Sequence, residues 1–551
     1  MNYYETILEL TDEAIPYSLA DRIKDPGSRY CNGQLLPDRG FAEPNHSAAA
    51  AALYLSAYFC KDSRWYKDKM LLGEAIISLK YLNGACHEDG TIDLIETNFH
   101  DCTMNGFTVA PVASIYRLLE REAKDATELE AMGLAKSFLE ASVRAMLTGG
   151  FHTPNHRWVV TAALALCYRC LGDGRCLELA KIYLSEGIDC NDEGDFTERS
   201  VGIYDVVNNE KLSIIAKELD MPELYEYVDR NLEKNWYYTE PDMTALTLAS
   251  RRQDYGMETQ MVSHFFSYYN AALRTGNGTF AWMAEKLMMQ IKKLRVSIGP
   301  PRAIGTSLLH MTGLLSFMLG LPRELPAAEP MPMRYERYFE KAGVARCRRG
   351  KWTCSLLRDN STFMKLQNGN LKVYFKLACT FFQFGKLVAT DITRIDGGFR
   401  VSCENEWGYT HPLPGINEPD WWKIDRDSRE KANWQKHRWD VDVLLHDEGV
   451  SMSIRTEGTP GIPMKLEMIL PAGGTLTGSE MTVHGLAGGW AIAGREAVYE
   501  LGGERLRLSG GFNEHVYAPN MRNSDPMPAG MFCLYCTGFT PVDRVVEICM
   551  E

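Results

Sequence analysis

The chain has 551 residues, too many for one ordinary hydrophobic core, so its length predicts two or more domains. A formal net charge of −13 argues against nucleic acid as a partner, because phosphate binding needs a basic surface. No stretch approaches the ~20 apolar residues of a membrane span. The 15 cysteines have no regular spacing, and residues 1–5 lack the features of a secretion signal, which together predict a cytoplasmic protein.

The first part of the chain has the pattern of a helical domain. Residues 1–45 contain turn signals such as Asp25-Pro26-Gly27, which predict an irregular N-terminal arm. Residues 46–320 form a run of amphipathic segments closed by Gly, Pro or Asn. The predicted helices cover residues 47–60, 67–82, 105–123, 127–147, 158–171, 176–186, 200–219, 223–232, 243–250, 258–274, 279–294 and 306–319. About a dozen helices without a sequence repeat favour antiparallel pairs in an α/α toroid.

The second part of the chain changes to alternating, strand-like periodicity. Residues 321–338 are rich in proline and predict a linker. Residues 339–551 predict an antiparallel β-sandwich, so the fold class is multidomain α+β. The predicted strands cover residues 362–366, 371–375, 386–392, 399–402, 441–446, 450–454, 464–469, 482–486, 490–493, 497–501, 506–508 and 532–538. A polar, Trp-rich insert over residues 418–439 is expected to be a loop that reaches toward the helical domain.

One helix start combines three polar side chains. Asn155, His156 and Arg157 follow Thr153-Pro154 at the beginning of an otherwise apolar helix. Helix starts attract anions, since free backbone N–H groups and the positive end of the helix dipole lie there. We expect these side chains to hold a sugar carboxylate. The alternative is an ordinary N-terminal cap whose side chains pack locally.

Two further segments supply candidate site residues in the helical part. Tyr204 lies in Ser200-Val-Gly-Ile-Tyr, about fifty residues after Asn155, and is either a proton-transfer group or a residue that covers the core. Arg252 and Gln253, in a loop after a predicted helix, suit a carboxylate or a pair of sugar hydroxyls. The alternative is that the cations at 251 and 252 complement a helix dipole.

The remaining candidates lie in two polar loops. His100 and Asn105 flank a helix start, where an acid/base or sugar-binding role competes with simple capping. Trp407, Tyr409 and His411 lie in the polar-aromatic segment 404–412, which is predicted to be a loop of the β-domain. Trp407 and Tyr409 are candidates for substrate binding, Tyr409 as a stacking or proton-donating group, and His411 is either a site residue or a solvated loop histidine.

These motifs resemble those of the heparinase II/III-like and related alginate lyases, which combine a helical toroid with a β-sandwich. The resemblance covers most of the chain in architecture but only short motifs in sequence. It implies that Asn155 and His156 neutralise the substrate carboxylate, that Tyr204 is the base and acid, and that His411 completes the site. The chain departs from the family pattern at Asp205, which replaces a typical His, and at Arg157.

The sequence therefore predicts a lyase that cleaves uronic-acid oligosaccharides by β-elimination. The lack of a secretion signal favours exo action on short imported oligomers. No cofactor is required. A structural zinc ion at His437, Asp442 and His446, or a calcium ion, is possible but has no support from ligand spacing. A homo-oligomer is also possible.

Two alternatives stay open. One is a glucuronidase-like glycoside hydrolase on the same toroid, with a carboxylate pair drawn from Asp101, Glu198, Asp205 and Asp254. The other is a non-catalytic glycan-binding protein, in which Asn155, His156 and Tyr204 do not converge.

Overall fold

The protein is described here by a computed structural model. The structure describes residues 2–36, 38–298, 324–478, 481–484 and 489–551. The chain divides into two compact units, each described below by itself. The helical unit comprises Met1–Thr239 and Ala245–Met331, and the β-unit comprises Glu240–Thr244 and Pro332–Glu551. The division at residue 331 falls within the proline-rich segment.

The helical unit is a series of helices with two small hairpins. Its described helices are α1 (Tyr3–Ala20), α2 (Pro44–Phe59), α3 (Lys69–Gly84), α4 (Cys102–Glu122), α5 (Ala126–Thr148), α6 (Pro154–Leu171), α7 (Gly174–Ser185), α8 (Tyr204–Glu218), α9 (Tyr225–Tyr237), α10 (Phe265–Thr275) and α11 (Gly278–Ile298). Strands β1 (Leu35–Leu36) and β2 (Phe41–Ala42) form one hairpin, and β3 (Ile92–Leu94) and β4 (Asn98–Asp101) form the other. Acidic residues begin several helices: Asp68, Asp125 and Asp173 each accept backbone N–H groups of the first turn.

The helices alternate between an inner and an outer layer. Helices α2, α4, α6 and α8 pack against one another in turn, while α3, α5 and α7 pack on their outer sides. Helix α2 is buried around almost its whole circumference, as expected for an apolar helix at the centre of a domain. Because each outer helix returns the chain, the four inner helices run parallel and begin at the same rim. We call the end of the unit where they begin the N-terminal rim.

The predicted and observed helices agree best where the apolar stripe is long. Helices α2 to α7 and α11 match their predicted segments to within a few residues. The prediction for residues 243–250 is wrong, because this segment has no helix, and the helix predicted over 258–274 begins only at Phe265. The N-terminal arm is irregular only in part: α1 occupies Tyr3–Ala20 and buries Tyr3, Ile7 and Leu10, whereas turns predominate in the described residues between α1 and α2. The helix predicted over 306–319 lies outside the described residues.

The β-unit contains two antiparallel sheets with one core. Its described strands are β5 (Arg334–Phe339), β6 (Val344–Arg349), β7 (Trp352–Leu357), β8 (Thr362–Asn368), β9 (Leu371–Cys379), β10 (Asp391–Ile395), β11 (Gly398–Thr410), β12 (Lys431–Leu445), β13 (Gly449–Gly458), β14 (Pro463–Pro471), β15 (Thr475–Gly478), β16 (Thr482–His484), β17 (Trp490–Ile492), β18 (Glu496–Leu501), β19 (Glu504–Ser509), β20 (Met531–Phe539) and β21 (Asp543–Met550).

The strands have a simple order in each sheet. One sheet runs β10-β11-β12-β13-β21-β19-β18-β15, and the other runs β16-β17-β20-β14-β9-β8-β7-β6-β5. The pairing is antiparallel except between β17 and β20. Trp439 and Ile454 of the first sheet share a core with Phe363 and Leu466 of the second. This is the arrangement of a β-sandwich.

The sequence underestimates the number and length of the strands. Strands β5, β6, β7, β15 and β21 were not predicted; β6 carries charged residues such as Arg346 and Arg348 that are buried all the same. The segment 404–412 is not a loop, because residues up to Thr410 extend β11 and pair with β12. The insert 418–439 is likewise shorter than expected, since β12 begins at Lys431.

A buried ion cluster joins a short segment to the second sheet of the β-unit. Glu240 accepts from Lys365 Nζ at 2.8 Å and Thr353 Oγ1 at 2.7 Å, and lies 3.0 Å from Arg346 Nη2. Burial alone would raise the pKa of Glu240, but the two cations outweigh burial and hold that pKa well below its usual range. The segment Glu240–Thr244 therefore belongs to the β-unit although it precedes the linker.

Replacing Glu240 by Ala should destabilise the β-unit strongly. The change removes the carboxylate from two buried cations, an effect that typically costs about 3–5 kcal/mol. Thermal unfolding followed by circular dichroism should show a lower Tm. Asp447→Ala, which breaks an exposed ion pair with Arg334, is the matched control and should change stability by less than about 1 kcal/mol. Equal Tm values for Glu240→Ala and Asp447→Ala would show that the buried ion cluster does not stabilise the β-unit.

Candidate functional site

The start of α6 presents a buried amide. Pro154 occupies the first turn, and Thr153 is the N-cap residue without a side-chain cap bond. Asn155 is fully buried, and its Nδ2 donates to Glu198 Oε1 at 2.9 Å and to Thr153 Oγ1 at 3.2 Å. Its Oδ1 is buried and has no hydrogen-bond partner among the described residues. The helix start is thus held by a carboxylate rather than by an ordinary cap.

His156 is a buried, neutral imidazole. Its ring lies edge-on to His152, with 4.8 Å between centroids, and to Phe107, with 6.0 Å. Burial lowers the pKa of His156 to about 4, and the neighbouring His152 and Arg252 act in the same direction. Near neutral pH this side chain can therefore donate an N–H or accept a proton, but it is not a cation.

Tyr204 lies at the first position of α8, in contact with the next polar segment. Its hydroxyl donates to Gln253 Oε1 at 3.2 Å, and Arg252 Nη2 donates to the hydroxyl oxygen at 3.4 Å. The Arg252 guanidinium also stacks on the Tyr204 ring, 4.7 Å from its centroid. The structure thus brings Tyr204 to the pair Arg252 and Gln253, which the sequence proposed apart from it, and the guanidinium that reaches Tyr204 is that of Arg252 rather than that of the more exposed Arg251.

Glu198 connects the two parts of this arrangement. Its Oε1 accepts from Asn155 and lies 3.3 Å from Arg252 Nε, and its side chain is almost completely buried. Burial raises the pKa of Glu198 above its ordinary value, against the opposing effects of Asn155 and Arg252. Its Oε2 has no hydrogen-bond partner among the described residues. We call Asn155, His156, Glu198, Tyr204, Arg252 and Gln253 the Tyr204 cluster.

Asp254 fixes the turn that leads into α8. Its carboxylate accepts from Ser200 Oγ at 2.9 Å, from Ser250 Oγ and from the backbone N–H of Gly202 at 3.1 Å. A Cβ at residue 202 would lie 2.9 Å from Asp254 Oδ2, so only glycine fits there. Since Ser200 and Ser250 share one carboxylate, the segments that carry Tyr204 and Arg252 are tied to each other.

A second buried network lies under the start of α8. Lys234 Nζ contacts Asp195 at 2.9 Å and Asp205 at 3.0 Å, and all three side chains are buried. Burial lowers the pKa of Lys234, but the two carboxylates outweigh burial and raise that pKa overall. Asn231 Nδ2 donates to Asp205 at 3.1 Å. Asp205, the residue after Tyr204, is therefore anchored by Lys234 and Asn231 and fixes the first turn of α8.

Other predicted site residues of the helical unit have different partners. Arg157 pairs with Glu186 at 3.0 Å and stacks on Trp158, and His100 pairs with Asp89 at 2.9 Å in the β3–β4 hairpin. Their substrate contacts stay predictions. The prediction for Asn105 is corrected: its side chain is fully buried, and its amide bonds Gly90 O, Ser142 Oγ and the N–H of Ile92. Asn105 is part of the fold.

The β-unit carries three further candidates. Trp407 and Tyr409 lie in β11, where they contact Phe384 and Phe382 respectively, and both side chains are exposed. His411 follows β11, and its backbone N–H donates to Glu430 O at 2.9 Å. Their roles stay predictions.

The suggested metal ligands do not form a site. Asp442 is paired with Arg400 and Arg455, and His437 is buried in β12. Over the ranges that the structure covers, no group of three or more His, Cys, Asp or Glu side chains is arranged to hold a metal ion. Within the same ranges, none of the helices has the length and apolar character needed to cross a bilayer.

Comparisons with solved structures identify the fold. The chondroitin AC lyase of Streptomyces coelicolor A3, solved in complex with chondroitin sulphate, matches with a TM-score of 0.53 and 13% identity over 100% of this chain and 80% of that chain. A Paenibacillus xanthan lyase matches with a TM-score of 0.58 and 10% identity over 100% of this chain and 57% of that chain. The predicted α/α toroid followed by a β-sandwich, and the resemblance to lyases of that architecture, are confirmed at the level of the fold.

Sequence comparisons add nothing to this result. No protein-family profile matches the chain, and no curated protein sequence matches it. Identities of 10–13% establish the fold alone.

The buried His156 should make the protein sensitive to acid. Its pKa is about 4 in the folded chain and about 6.5 in an unfolded one, so the unfolded state takes up a proton first as the pH falls. Stability should therefore be lost between pH 6.5 and 4, by about 2 kcal/mol at pH 5. Thermal melts across pH 7 to 5 should show a smaller pH dependence for His156→Phe. The exposed control His446→Phe should keep the wild-type dependence of Tm on pH. If His156→Phe also keeps that dependence, burial of His156 is not the cause of the acid sensitivity.

Proposed function

We propose that this chain is a lyase that cleaves uronic-acid-containing oligo- or polysaccharides by β-elimination. The observation that carries the proposal is the convergence of a phenol, a guanidinium and a buried amide in the Tyr204 cluster. Tyr204 contacts Arg252, Arg252 contacts Glu198, and Glu198 holds Asn155 beside His156. A non-catalytic glycan-binding protein has no need for this convergence.

The chemistry of elimination explains these residue types. The reaction removes a proton from the carbon next to the uronate carboxylate, breaks the bond to the glycosidic oxygen and forms a carbon–carbon double bond. That carbon becomes acidic only when hydrogen bonds stabilise the negative charge that develops on the carboxylate. The neutral His156 can supply an N–H donor at the start of α6, where the helix dipole adds to the effect. Asn155 would supply a second N–H donor by releasing Thr153 Oγ1, the longer of its two bonds at 3.2 Å, while it keeps Glu198.

Tyr204 is the residue that we assign to proton transfer. As a phenolate it would take the proton from carbon and, as a phenol, return it to the leaving glycosidic oxygen. Arg252 donates to the Tyr204 oxygen and so stabilises negative charge there. Glu198 and Gln253 orient Arg252 and the Tyr204 hydroxyl. In this scheme the chain's own side chains suffice.

The hydrolase alternative needs two carboxyl groups that face one substrate, about 5–9.5 Å apart. Three of its four candidates have structural partners: Asp101 caps α4, Asp205 pairs with Lys234, and Asp254 holds Ser200 and Ser250. Glu198 and Asp205 each keep one oxygen with no hydrogen-bond partner among the described residues, but Asp205 is fully buried against Lys234. Hydrolysis needs one carboxyl group as the acid and a second as the base or nucleophile. Glu198 alone cannot fill both roles, which favours elimination.

A reducing compartment also fits the proposal. All 15 cysteines are free, and most of them are buried. Free buried thiols behave as small apolar residues and persist where disulfides do not form. We therefore propose a cytoplasmic enzyme that acts on short acidic oligosaccharides.

Tyr204→Phe should abolish turnover while substrate still binds. The ring and its stacking with Arg252 are kept, but the proton-transfer oxygen is lost, which typically costs about 10²–10⁴-fold in kcat. Ultraviolet absorbance of the unsaturated uronate product, measured on a panel of uronate glycans, reports the reaction. Tyr66→Phe, at an exposed tyrosine in the loop between α2 and α3, is the control. New reducing ends without this absorbance in the wild-type chain would show hydrolysis instead.

The adjacent arginines allow a matched comparison. Arg252→Lys loses the planar guanidinium that reaches both Tyr204 and Glu198, so kcat should fall about 10²-fold. Arg251→Lys keeps the charge at an exposed neighbouring position, and its kcat should stay near the wild-type value. Equal loss in both variants, measured with the same absorbance assay, would remove Arg252 from the proposed mechanism.

A further inference from the structure

A cavity lies at the N-terminal rim, between the start of α2 and the hairpin that leads into α4. Its volume is about 310 Å³, and Pro44, the first residue of α2, forms part of its wall. The other elements around it are the loop after α1, the end of α3 and the β3–β4 hairpin. Its main lining side chains are Arg29, Tyr30, Tyr81, Asp93, Ile95 and Phe99. The Tyr204 cluster uses none of them.

The hairpin connects this cavity to the cluster. Strand β4 contributes Phe99 to the cavity and ends at Asp101, the N-cap residue of α4. The Asp101 carboxylate acts on His156 electrostatically, in the direction that raises the His156 pKa. The hairpin thus runs from the cavity to the start of α4, which neighbours the start of α6 on the same rim. Since packed helices are about 8–10 Å apart, two steps from α4 to α8 correspond to about 20 Å.

The lining has the chemistry of a sugar site. Tyr30, Tyr81 and Phe99 offer flat apolar faces, and the Phe99 side chain is 67% exposed, so its ring is accessible to a ligand. Arg29 stacks on Tyr30 with 5.2 Å to the ring centroid and provides a fork for a carboxylate or sulfate group. A volume near 300 Å³ is at the lower end of ligand pockets, so it suits one or two sugar rings.

The hairpin wall is held in a fixed shape. Asp93 Oδ1 accepts from the backbone N–H of His100 at 2.8 Å and lies 2.8 Å from His87 Nε2. The imidazoles of His87 and His100 stack with 3.9 Å between centroids. Phe99 is thus presented by a braced hairpin rather than by a loose loop. A preorganised aromatic wall binds with a smaller entropy cost.

We propose that this cavity is a distal subsite that holds a sugar residue of the same acidic glycan chain on which the Tyr204 cluster acts. The inference rests on the proposed function and adds a substrate length to it. A disaccharide at Tyr204 is too short to reach the cavity, whereas an oligosaccharide of several residues spans both positions. The aromatic walls stack on the sugar ring, and Arg29 pairs with its acidic group.

The test compares Phe99→Ala and Tyr30→Ala with Tyr66→Ala. Tyr66 is an exposed ring in the loop between α2 and α3, at the opposite end of the inner helices, and it serves as the control. The probes are size-fractionated oligosaccharides, from disaccharide to octasaccharide, of the uronate polymer that the wild-type chain degrades. Both cavity variants should raise KM about tenfold for the long oligosaccharides and leave disaccharide turnover and kcat unchanged. Tyr66→Ala should match the wild-type chain at every length.

A binding measurement separates this inference from the proposed function. Retardation of the folded chains in gels that contain chondroitin sulphate, alginate or xanthan does not depend on turnover. Loss of retardation in the two cavity variants, without turnover on any polymer, would keep the subsite and overturn the lyase proposal. Suppose instead that both cavity variants turn over substrate normally, show the wild-type dependence of KM on oligosaccharide length and are retarded like the wild-type chain. That result would overturn the subsite and keep the lyase proposal. A wild-type chain that neither degrades nor binds any of these polymers overturns both.

Discussion

The buried carboxylate of Glu198 is the interaction on which the proposed site depends. It holds the amide of Asn155, at the start of α6, and the guanidinium of Arg252, in a loop far along the chain. A buried carboxylate is costly unless donors and cations surround it, and here it has both. That requirement draws the two segments together. Arg252 can then reach the Tyr204 hydroxyl while Asn155 keeps an unbonded oxygen beside the neutral His156.

The parallel inner helices explain why the chemistry collects at one rim. Each outer helix returns the chain to the same end, so the starts of α2, α4, α6 and α8 become neighbours. Helix starts carry free N–H groups and the positive end of the dipole, which suits an acidic ligand. A protein with a net charge of −13 can thus present local sites for anions. The buried Lys234 network and Asp254 add rigidity by fixing both sides of the turn before Tyr204.

Much of the architecture was readable from the sequence, for reasons that particular elements illustrate. Helices α2 to α7 have long apolar stripes, and their 3.6-residue period identifies them without tertiary information. Strands such as β6 are not predicted because buried arginines hide the alternation, and the charges of Arg346 and Arg349 are compensated by Glu240 and Glu336. The segment 404–410 has the polar residues typical of a loop, yet the exposed face of a strand needs no apolar side chains.

The sequence by itself determined the fold class, the start of α6 and the candidacy of Asn155, His156, Tyr204 and Arg252, because local pattern and residue chemistry suffice for these. Only the tertiary structure decided which candidates meet. It placed Asn105 in the core, chose Arg252 over Arg251, and gave Glu198 a linking role that spacing does not reveal. It also brought Tyr30, Tyr81 and Phe99 around one cavity. These outcomes depend on contacts between residues that are distant in sequence, and burial sets the strength of those contacts. Neither periodicity nor motif spacing can therefore predict them.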